Sequence, residues 1–298
     1  MPGPRVKVVY FDVGGTLLAP DPSLAEIYRR VLAPLGIECE VPAFRWAAIE
    51  TWAEFDAMVG RGRNRYAHFP GGERAYWRAY VGRVLDRVSA GGVASRRSHT
   101  HAAPRDAQSN QSRAQANQSD ARTSQPPDLQ PSGPRDAQSN QSDARVRGPS
   151  EAQADEATAA LHAAFSEPST WAVFPEVRAT LASLRAKGLR LAVISNWDSR
   201  LRPLLGKLGL AEEFEEIVVS SEVGAEKPAP AIFEAALGLM GASPGEALHV
   251  GDDLVSDYEG AAAMGMEAAL LVRRGDAPAH ARSVTSLDGL LPILSDGA

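Results

Sequence analysis

The chain has very little cysteine, little lysine and no long apolar run. Cys39 is the single cysteine among 298 residues, so no disulfide can form within the chain and nothing indicates an oxidising compartment. The first apolar run, residues 8–11, is far too short for a signal-peptide core or for a membrane span of about 20 residues. The formal net charge of −6 argues against nucleic acid bound over a large basic face. These absences predict a cytoplasmic protein that has neither a membrane nor nucleic acid as its partner.

The remaining composition is that of an ordinary globular protein. Apolar residues make up 44% of the chain, which is enough for a hydrophobic core. At roughly 150 residues per domain, the length allows two domains. A collagen and a disulfide scaffold are both excluded, and an α/β protein is the class that remains.

One internal stretch, residues 95–155, differs from the rest of the chain. It contains no aromatic residue, and the segment PRDAQSNQS occurs at 104–112 and again at 134–142. Such a stretch buries too little apolar area to offset the entropy of ordering its backbone, which predicts a disordered, low-complexity insertion. Joining Ala94 to Glu156 should therefore leave the melting temperature nearly unchanged, since the cost of loop closure varies only logarithmically with length.

Short apolar runs alternate with helical patterns over much of the chain. Strands are predicted at 6–11, 189–195, 216–220, 247–251 and 268–272. Helices are predicted at 176–187, 199–208, 230–240 and 257–264. This alternation is typical of a doubly wound, Rossmann-like parallel sheet, in which ligands bind beyond the carboxyl ends of the strands.

The residues that follow the first strand have a helical pattern instead. Two predicted helix faces, which we interpret as packing faces, consist of Trp46, Ile49, Trp52 and Val59 and of Tyr76, Trp77, Tyr80 and Val84. The sequence therefore predicts a helical cap domain inserted after the first strand. The predicted division is a core of residues 1–16 plus 171–298, a cap of 17–94 plus 156–170, and the insertion 95–155.

Polar side chains occur just past the ends of four predicted strands of the core. Converging carboxylates repel each other unless a cation neutralises them, and an all-oxygen ligand set favours Mg²⁺. A lysine at such an edge is a point charge for a phosphoryl group. Each residue alone could equally be a helix cap, a turn cap or a solvated charge, so the signal lies in the ordered set. Its members are Asp12, Ser195, Asn196, Lys227, Asp252, Asp253 and Asp257.

Four sequence segments carry a resemblance to a known family. They are FDVGGTLL at 11–18, VISNWD at 193–198, EKPAPAIF at 226–233 and HVGDDLVSDYEGA at 249–261. In this order they resemble the motifs of the haloacid dehalogenase-like (HAD) hydrolase superfamily, and a helical cap after the first motif is similar to its subfamily IA. Residues 170–214 and 249–266 further resemble the rhythmically-expressed-gene-two-like branch.

The resemblance implies a role for each of these residues. Asp12 and Lys227 would be catalytic, with Asp12 as the nucleophile that forms an aspartyl-phosphate and Lys227 as the cation that stabilises the phosphoryl oxygens. Thr16, Ser195 and Asn196 would hold the phosphoryl group of a small phosphorylated substrate. The family motifs also imply the Mg²⁺ ligands, which would be the Asp12 carboxylate, the Gly14 carbonyl and Asp252, with Asp253 or Asp257 bound directly or through water. We expect the Asp12 and Asp252 carboxylates to lie within about 5 Å of each other, because Mg–O bonds are about 2.1 Å long.

Gly14 departs from the family pattern. Phosphatases of the superfamily carry an aspartate at this position as general acid and base, a role that contributes typically 10²–10⁴-fold to the rate. A cap residue such as His68, or solvent, could supply the proton instead, or the enzyme could be slow.

Other chemistries of the superfamily also lack that aspartate. Phosphonate-cleaving relatives use a cap lysine, and this chain has no lysine between residues 17 and 170. A dehalogenase remains an alternative, although its chemistry needs no metal and the carboxylate cluster argues against it. A protein that binds a phosphorylated ligand with little turnover is the third possibility. The sequence indicates neither the particular substrate nor an oligomeric state.

Overall fold

The computed structural model describes residues 6–38, 40–94 and 150–294, and Cys39 lies outside this part of the chain. One sheet is formed by six strands, β1 (Val8–Phe11), β4 (Arg190–Ser195), β5 (Glu216–Val219), β6 (Ala247–Gly251), β7 (Glu267–Leu271) and β8 (Ser283–Val284). Their order in the sheet is β5-β4-β1-β6-β7-β8, and all neighbouring strands are parallel. The predicted Rossmann-like parallel sheet is confirmed.

Helices cover both faces of this sheet because β1 is apolar at every position. Val9 and Phe11 belong to one apolar layer, whereas Val8 and Tyr10 belong to the other, as the two-residue period of a strand requires. The first layer includes residues of α5 (Val177–Ala186), α6 (Leu201–Lys207) and α10 (Leu290–Ile293), and the second includes residues of α8 (Pro230–Met240) and α9 (Gly260–Ala263). A single turn, α7 (Ser220–Val223), follows β5.

The predicted helix at 257–264 differs from the observed structure. A π-helical segment runs from Leu254 to Glu259, and α9 continues from it. The segment begins three residues earlier than predicted because the Asp253 carboxylate accepts hydrogen bonds from the backbone nitrogens of Val255 and Ser256. An aspartate after a strand is a strong helix-capping residue, and here it sets the start of the helix.

In the described part of the chain, four further α-helices lie between two short paired strands. The strands β2 (Leu18–Pro20) and β3 (Trp171–Val173) form an antiparallel pair. The helices are α1 (Leu24–Leu32), α2 (Val41–Val59), α3 (Gly72–Ala94) and α4 (Glu151–Phe165). They share an apolar core of their own, separate from the two layers of the sheet. The division into domains at the residue boundaries given above stays a prediction. Among the described residues, no helix is long and apolar enough to cross a membrane.

The predicted packing face of α2 is wrong in part. Trp46 and Trp52 are 51% and 37% exposed, whereas Phe44, Thr51 and Phe55 are buried. The 3.6-residue period fits both sets, so the choice of face depends on the helices packed against α2. The predicted face of α3 is observed, with Tyr76 and Tyr80 buried.

The predicted end of the insertion is also wrong. Residues 150–155 are not disordered, because α4 begins at Glu151 behind the N-cap Ser150. The Ser150 hydroxyl accepts from the Gln153 backbone nitrogen at 3.3 Å, and the Gln153 side chain accepts from the Ser150 backbone nitrogen at 3.0 Å. Asp155 pairs with Arg78 of α3. The Ser-x-x-Gln pattern of this capping box is a sequence signal that could have placed the boundary. The prediction for residues 95–149 lies outside the described residues.

Two deletions test this boundary. A variant lacking residues 95–149 should melt within a few degrees of the full chain, as loop-closure cost predicts. A variant lacking 95–155 also loses the capping box, which costs about 1 kcal/mol and should lower the melting temperature by about 2–4 °C further. Calorimetry on both variants, joined by the same short linker, measures the difference. Equal melting temperatures would show that the first turn of α4 contributes nothing, and a large drop in the shorter deletion would contradict the sequence prediction.

Candidate active site

Three polar residues of the site lie at the carboxyl ends of three parallel strands, at one edge of the sheet. Asp12 directly follows β1, Ser195 is the last residue of β4, and Asp252 directly follows β6. Strand β1 lies between β4 and β6, with Phe11 paired to both Val193 and Val250. The carboxyl ends of the three strands therefore meet, as expected for a doubly wound sheet.

Asp12 is nearly buried and is held by two donors. The Lys227 ammonium donates to Asp12 Oδ1 at 2.8 Å, and the Ser195 hydroxyl donates to the same oxygen at 3.1 Å. Burial raises the pKa of Asp12 to about 6, since the repulsion from Asp257 adds to it and the attraction of Lys227 offsets it only in part. A backbone hydrogen bond from Val13 lowers the pKa in turn. Asp12 Oδ1 is thus fixed by two side-chain donors.

Lys227 lies in the loop after α7 and not directly after a strand as predicted. It links Asp12 to a second buried carboxylate, that of Asp257. The Lys227 ammonium donates to Asp257 Oδ1 at 2.5 Å and to the Ile194 carbonyl at 2.8 Å. Burial alone would lower the pKa of Lys227, but the Asp12 and Asp257 carboxylates outweigh it and hold the pKa above its usual value. Lys227 is therefore a fixed positive charge between two carboxylates.

Both oxygens of the Asp257 carboxylate accept hydrogen bonds. His249, fully buried in β6, lies with Nε2 3.0 Å from Asp257 Oδ1, and the Asp253 backbone nitrogen donates to Oδ2 at 3.0 Å. Burial lowers the pKa of His249, so the imidazole is neutral and donates through Nε2. Burial alone would raise the pKa of Asp257, but Lys227 and His249 together hold it below its usual value. Sequence reasoning missed His249, because a histidine inside an apolar strand gives no sign of its partner.

Three carboxylates form a compact cluster in this site. Asp12, Asp252 and Asp257 each offer an oxygen, and these atoms all lie within 4.8 Å of one another. The predicted approach of Asp12 to Asp252 is confirmed. Asp252 is the most exposed of the three carboxylates. Burial in the cleft and the negative charges of Asp12 and Asp257 nevertheless raise its pKa above the usual value. One lysine does not balance three carboxylates, and an all-oxygen set of this size fits a hard divalent cation such as Mg²⁺.

Two glycines make room for these carboxylates. Gly15 has φ +80°, and a Cβ there would lie 2.3 Å from Asp252 Oδ2. A Cβ on Gly251 would lie 2.2 Å from Asp257 Cγ. Gly14 differs from both, since its φ lies outside the left-handed region and a Cβ there would lie 3.4 Å from Trp197 Cζ3. The indole of Trp197 thus borders the space that a side chain at position 14 would enter.

Two predicted ligands have other partners in the structure. The Asp253 carboxylate points to the backbone nitrogens of residues 255 and 256, so it caps the π-helical segment and does not join the carboxylate cluster. The Asn196 amide donates to the Lys227 carbonyl at 3.0 Å and accepts from the Lys227 backbone nitrogen at 2.7 Å. Asn196 therefore holds the main chain of Lys227, and its amide is not free to bind phosphate as predicted.

The remaining predicted residues are placed as follows. Thr16 is buried and its hydroxyl donates to Asp252 Oδ1 at 3.2 Å, so it contacts the carboxylate cluster. Gly14 lines the cleft, and its role as a carbonyl ligand stays a prediction. His68 is exposed, does not line the cleft and lies with Nδ1 2.9 Å from the Asn64 carbonyl oxygen. The structure therefore gives no support to His68 as the missing acid.

Arg273 is a further residue that sequence reasoning missed. Its guanidinium donates to the Gly15 carbonyl at 3.0 Å and to the Thr16 carbonyl at 2.7 Å. It also pairs with Glu176 at 2.7 Å and lies 3.4 Å from the centroid of the Phe174 ring. Arg273 thus fixes the loop that follows Asp12. Its place just past the end of the predicted strand 268–272 is a signal that could have indicated it.

A loop between α2 and α3 contacts the loop that carries Lys227. Arg65 is buried and binds Glu226, the residue before Lys227, with its Nη2 2.7 Å from Oε2 and its backbone nitrogen 2.8 Å from Oε1. Asn64 donates to the Ser220 carbonyl at 2.5 Å. These contacts join residues more than 150 positions apart, and nothing in the sequence pairs them. They hold the helical part of the chain over the carboxylate cluster.

The space enclosed in this way is a cavity of about 920 Å³ that opens onto Asp12, Lys227 and Asp252. Its walls are rich in aromatic side chains from the helices and from the sheet edge. These are Tyr28, Trp52, Phe55, Tyr66, Tyr76, Trp77, Tyr80, Phe165, Trp171 and Trp197. The site can therefore accept an organic group considerably larger than a phosphate ion.

Comparison with known proteins identifies the class to which this fold and site belong. The model of the haloacid dehalogenase-like hydrolase family matches residues 6–265. The chain belongs to this family, as the four motifs predicted. Its assignment to a particular branch stays a prediction.

Individual relatives match parts of the chain. Human haloacid dehalogenase-like hydrolase domain-containing protein 3 is 42% identical over 135 residues, which is 45% of this chain and 54% of that protein. Phosphoserine phosphatase from Thermus thermophilus is 40% identical over 116 residues, or 38% of this chain and 46% of the relative. The chain thus spans about half the length of the curated relatives it matches. The magnesium-bound HAD-hydrolase YfnB from Bacillus subtilis has a similar fold, with a TM-score of 0.61 at 14% identity over 98% of this chain and 99% of the other.

Proposed function

We propose that this protein is a Mg²⁺-dependent phosphatase that acts on a small phosphorylated metabolite through an aspartyl-phosphate. The observation that carries the proposal is the Asp12 carboxylate, fixed through one oxygen by Lys227 and Ser195 within a cluster of three carboxylates. The match to phosphoserine phosphatase over part of the chain supports the choice of phosphate esters.

The chemistry follows from how these side chains are held. Asp12 attacks phosphorus through a carboxylate oxygen, the ester bond breaks, and water later hydrolyses the aspartyl-phosphate to inorganic phosphate. Lys227 keeps a positive charge beside the transferred group, where it stabilises the phosphoryl oxygens. The Asp12 and Asp252 carboxylates and the Gly14 carbonyl would hold Mg²⁺, with Asp257 bound directly or through water, and the ion would supply further positive charge to the phosphoryl group.

A phospho-ligand-binding protein with little turnover is the second candidate. Gly14 and the adjacent Trp197 favour it, because position 14 offers no acid to the leaving group. A dehalogenase is less well supported, since such chemistry has no use for three carboxylates within 4.8 Å of one another.

Hydrolysis of 4-nitrophenyl phosphate with Mg²⁺ and with a chelator tests the proposal. We expect phosphate release with Mg²⁺, its loss on chelation, and a much weaker response to Mg²⁺ in the Asp252→Asn variant. Acid quenching during turnover of a ³²P-labelled ester should trap a phosphoprotein that hydroxylamine cleaves. Binding of phosphate without release of nitrophenol would favour the second candidate. Hydrolysis that continues at the same rate with a chelator would contradict the dependence on Mg²⁺.

A further inference from the structure

We infer that the substrates of this site are aryl phosphates, in which the phosphoryl group is attached to the oxygen of an aromatic ring. The inference rests on the proposed phosphatase function and names its substrate class. Two separate features point to it: the wall of the cavity, and the surroundings of Gly14.

The wall of the cavity is aromatic and its buried charges are already paired. Arg65 lies 4.3 Å from the centroid of the Trp52 ring and is bound to Glu226. Arg200 lies 5.1 Å from the centroid of the Trp77 ring and is bound to Asp198 at 2.5 Å.

Both guanidinium groups are therefore neutralised, and they hold indole rings in place. Trp77 is fixed further, because its Nε1 donates to Asp198 at 2.9 Å. Flat rings held in this way match a flat ring in the ligand, since offset or edge-to-face aromatic pairs are favourable beyond the area they bury. A sugar or a short alkyl chain could not form such ring-to-ring contacts with this wall.

The surroundings of Gly14 select the leaving group. Gly14 has no side chain to donate a proton, and Trp197 borders the adjacent space. Lys227 and Asp257 are bound to each other, and Ser195 is bound to Asp12. Burial and the charge of Arg200 lower the pKa of His162 in the cavity wall, which disfavours its imidazolium form. Thr16 is bound to Asp252, which would itself hold the metal. Each of these described side chains beside Asp12 is thus already engaged, so we expect the leaving oxygen to depart as an anion.

An anionic leaving group favours a phenolate over an alkoxide. A phenol ionises with a pKa of about 10, near that of the tyrosine side chain, whereas the pKa of water is about 15.7 and alcohols are comparably weak acids. In the step considered, an Asp12 oxygen forms the bond to phosphorus and the electron pair of the breaking P–O bond stays on the phenolate. The phenolate takes a proton from solvent, and a second water releases phosphate from Asp12. The sum is an aryl phosphate plus water giving a phenol plus phosphate.

Steady-state kinetics with Mg²⁺ on four substrates distinguishes the effect of the aromatic wall from that of the missing proton donor at Gly14. Phenyl phosphate has the ring and a phenolate, benzyl phosphate has the ring and an alkoxide, acetyl phosphate has a stable leaving anion without a ring, and glycerol phosphate has neither. We expect phenyl phosphate to have the highest kcat/KM. Benzyl phosphate should match its KM and fall about 10²-fold or more in kcat, the size of a missing general acid. Acetyl phosphate should be turned over with a KM about tenfold higher.

A pair of variants on one helix tests the aromatic wall. Trp52→Leu should raise KM about 3- to 10-fold for phenyl and benzyl phosphate, which is the size of an aromatic pair, and leave acetyl phosphate unchanged. Trp46→Leu is the matched control, since Trp46 is an exposed tryptophan of α2 that does not line the cavity. Its kinetics should equal those of the unaltered protein.

The outcomes distinguish this inference from the proposed function. If benzyl phosphate is hydrolysed as fast as phenyl phosphate, or if Trp52→Leu affects all four substrates alike, the aryl-phosphate inference is wrong and the phosphatase stands. If the protein hydrolyses neither acetyl phosphate nor 4-nitrophenyl phosphate in the presence of Mg²⁺, the proposed function is wrong, and the inference is wrong with it.

Discussion

Replacing Asp12 with asparagine should reduce phosphate release from every ester by about 10⁴-fold or more, because the substitution removes the nucleophile itself. The loss should not come from unfolding. Asp12 is one of three carboxylates that repel each other, and Lys227 retains Asp257 as its partner. We expect the melting temperature to stay level or to rise. The measurement is steady-state kinetics on phenyl phosphate beside a thermal melt of the same preparation.

Asp253→Asn is a matched control at the same edge of the sheet. Asparagine caps helices about as well as aspartate does, so the start of the π-helical segment should survive. Activity should remain close to that of the unaltered protein, whereas Asp252→Asn should lose most of it. Full activity in Asp12→Asn would refute the nucleophile assignment. A loss in Asp253→Asn as large as that in Asp252→Asn would restore Asp253 as a metal ligand.

Gly14→Asp should have the opposite effect and raise turnover of an alkyl phosphate by about 10²-fold, the lower part of the range for a positioned general acid. The backbone permits the change, since Gly14 does not have positive φ. A Cβ at this position would be in ordinary contact with Trp197, so the new carboxylate must share space with the indole. The double variant with Trp197→Phe should therefore gain more than the single one.

Gly14→Asn is the control for this gain, because its amide has nearly the shape of the carboxylic acid and cannot transfer the proton. The comparison is kcat on glycerol phosphate and on phenyl phosphate for all three variants. Phenyl phosphate should gain little, since a phenolate needs little protonation. An equal gain in Gly14→Asn would show that shape and not proton transfer limits the unaltered protein. No gain in either aspartate variant would mean that another group already supplies the proton.

The sequence could predict the sheet and the meeting of Asp12, Ser195 and Asp252, because parallel strands bring their carboxyl ends together. Lys227 reaches the same edge from the loop after α7, which the strand order alone does not place. It could not separate ligands from caps. Asp253 and Asp252 are adjacent aspartates after the same strand, and only the direction of each side chain decides which one faces the cluster. Asn196 is a similar case, since an amide beside Lys227 can hold either a phosphate or the main chain.

Contacts between distant segments were beyond sequence reasoning for a different reason. The pair formed by Arg65 and Glu226 depends on how the α2–α3 loop lies over the sheet, and helical periodicity does not fix that placement. The exposed position of Trp46 likewise depends on which neighbours α2 meets. Local signals were available only for Ser150, through its capping box, and for Arg273, through its place after a strand.

The two glycines that face carboxylates have a consequence for how sequence variation in this protein should be interpreted. Gly15 and Gly251 carry no chemistry, yet a single methyl group at either would occupy the space of the Asp252 or Asp257 carboxylate. In a saturation mutagenesis screen scored by activity, both positions should tolerate as few substitutions as the aspartates themselves. An alanine at either would therefore be mistaken for the loss of a reacting group, although what it removes is space.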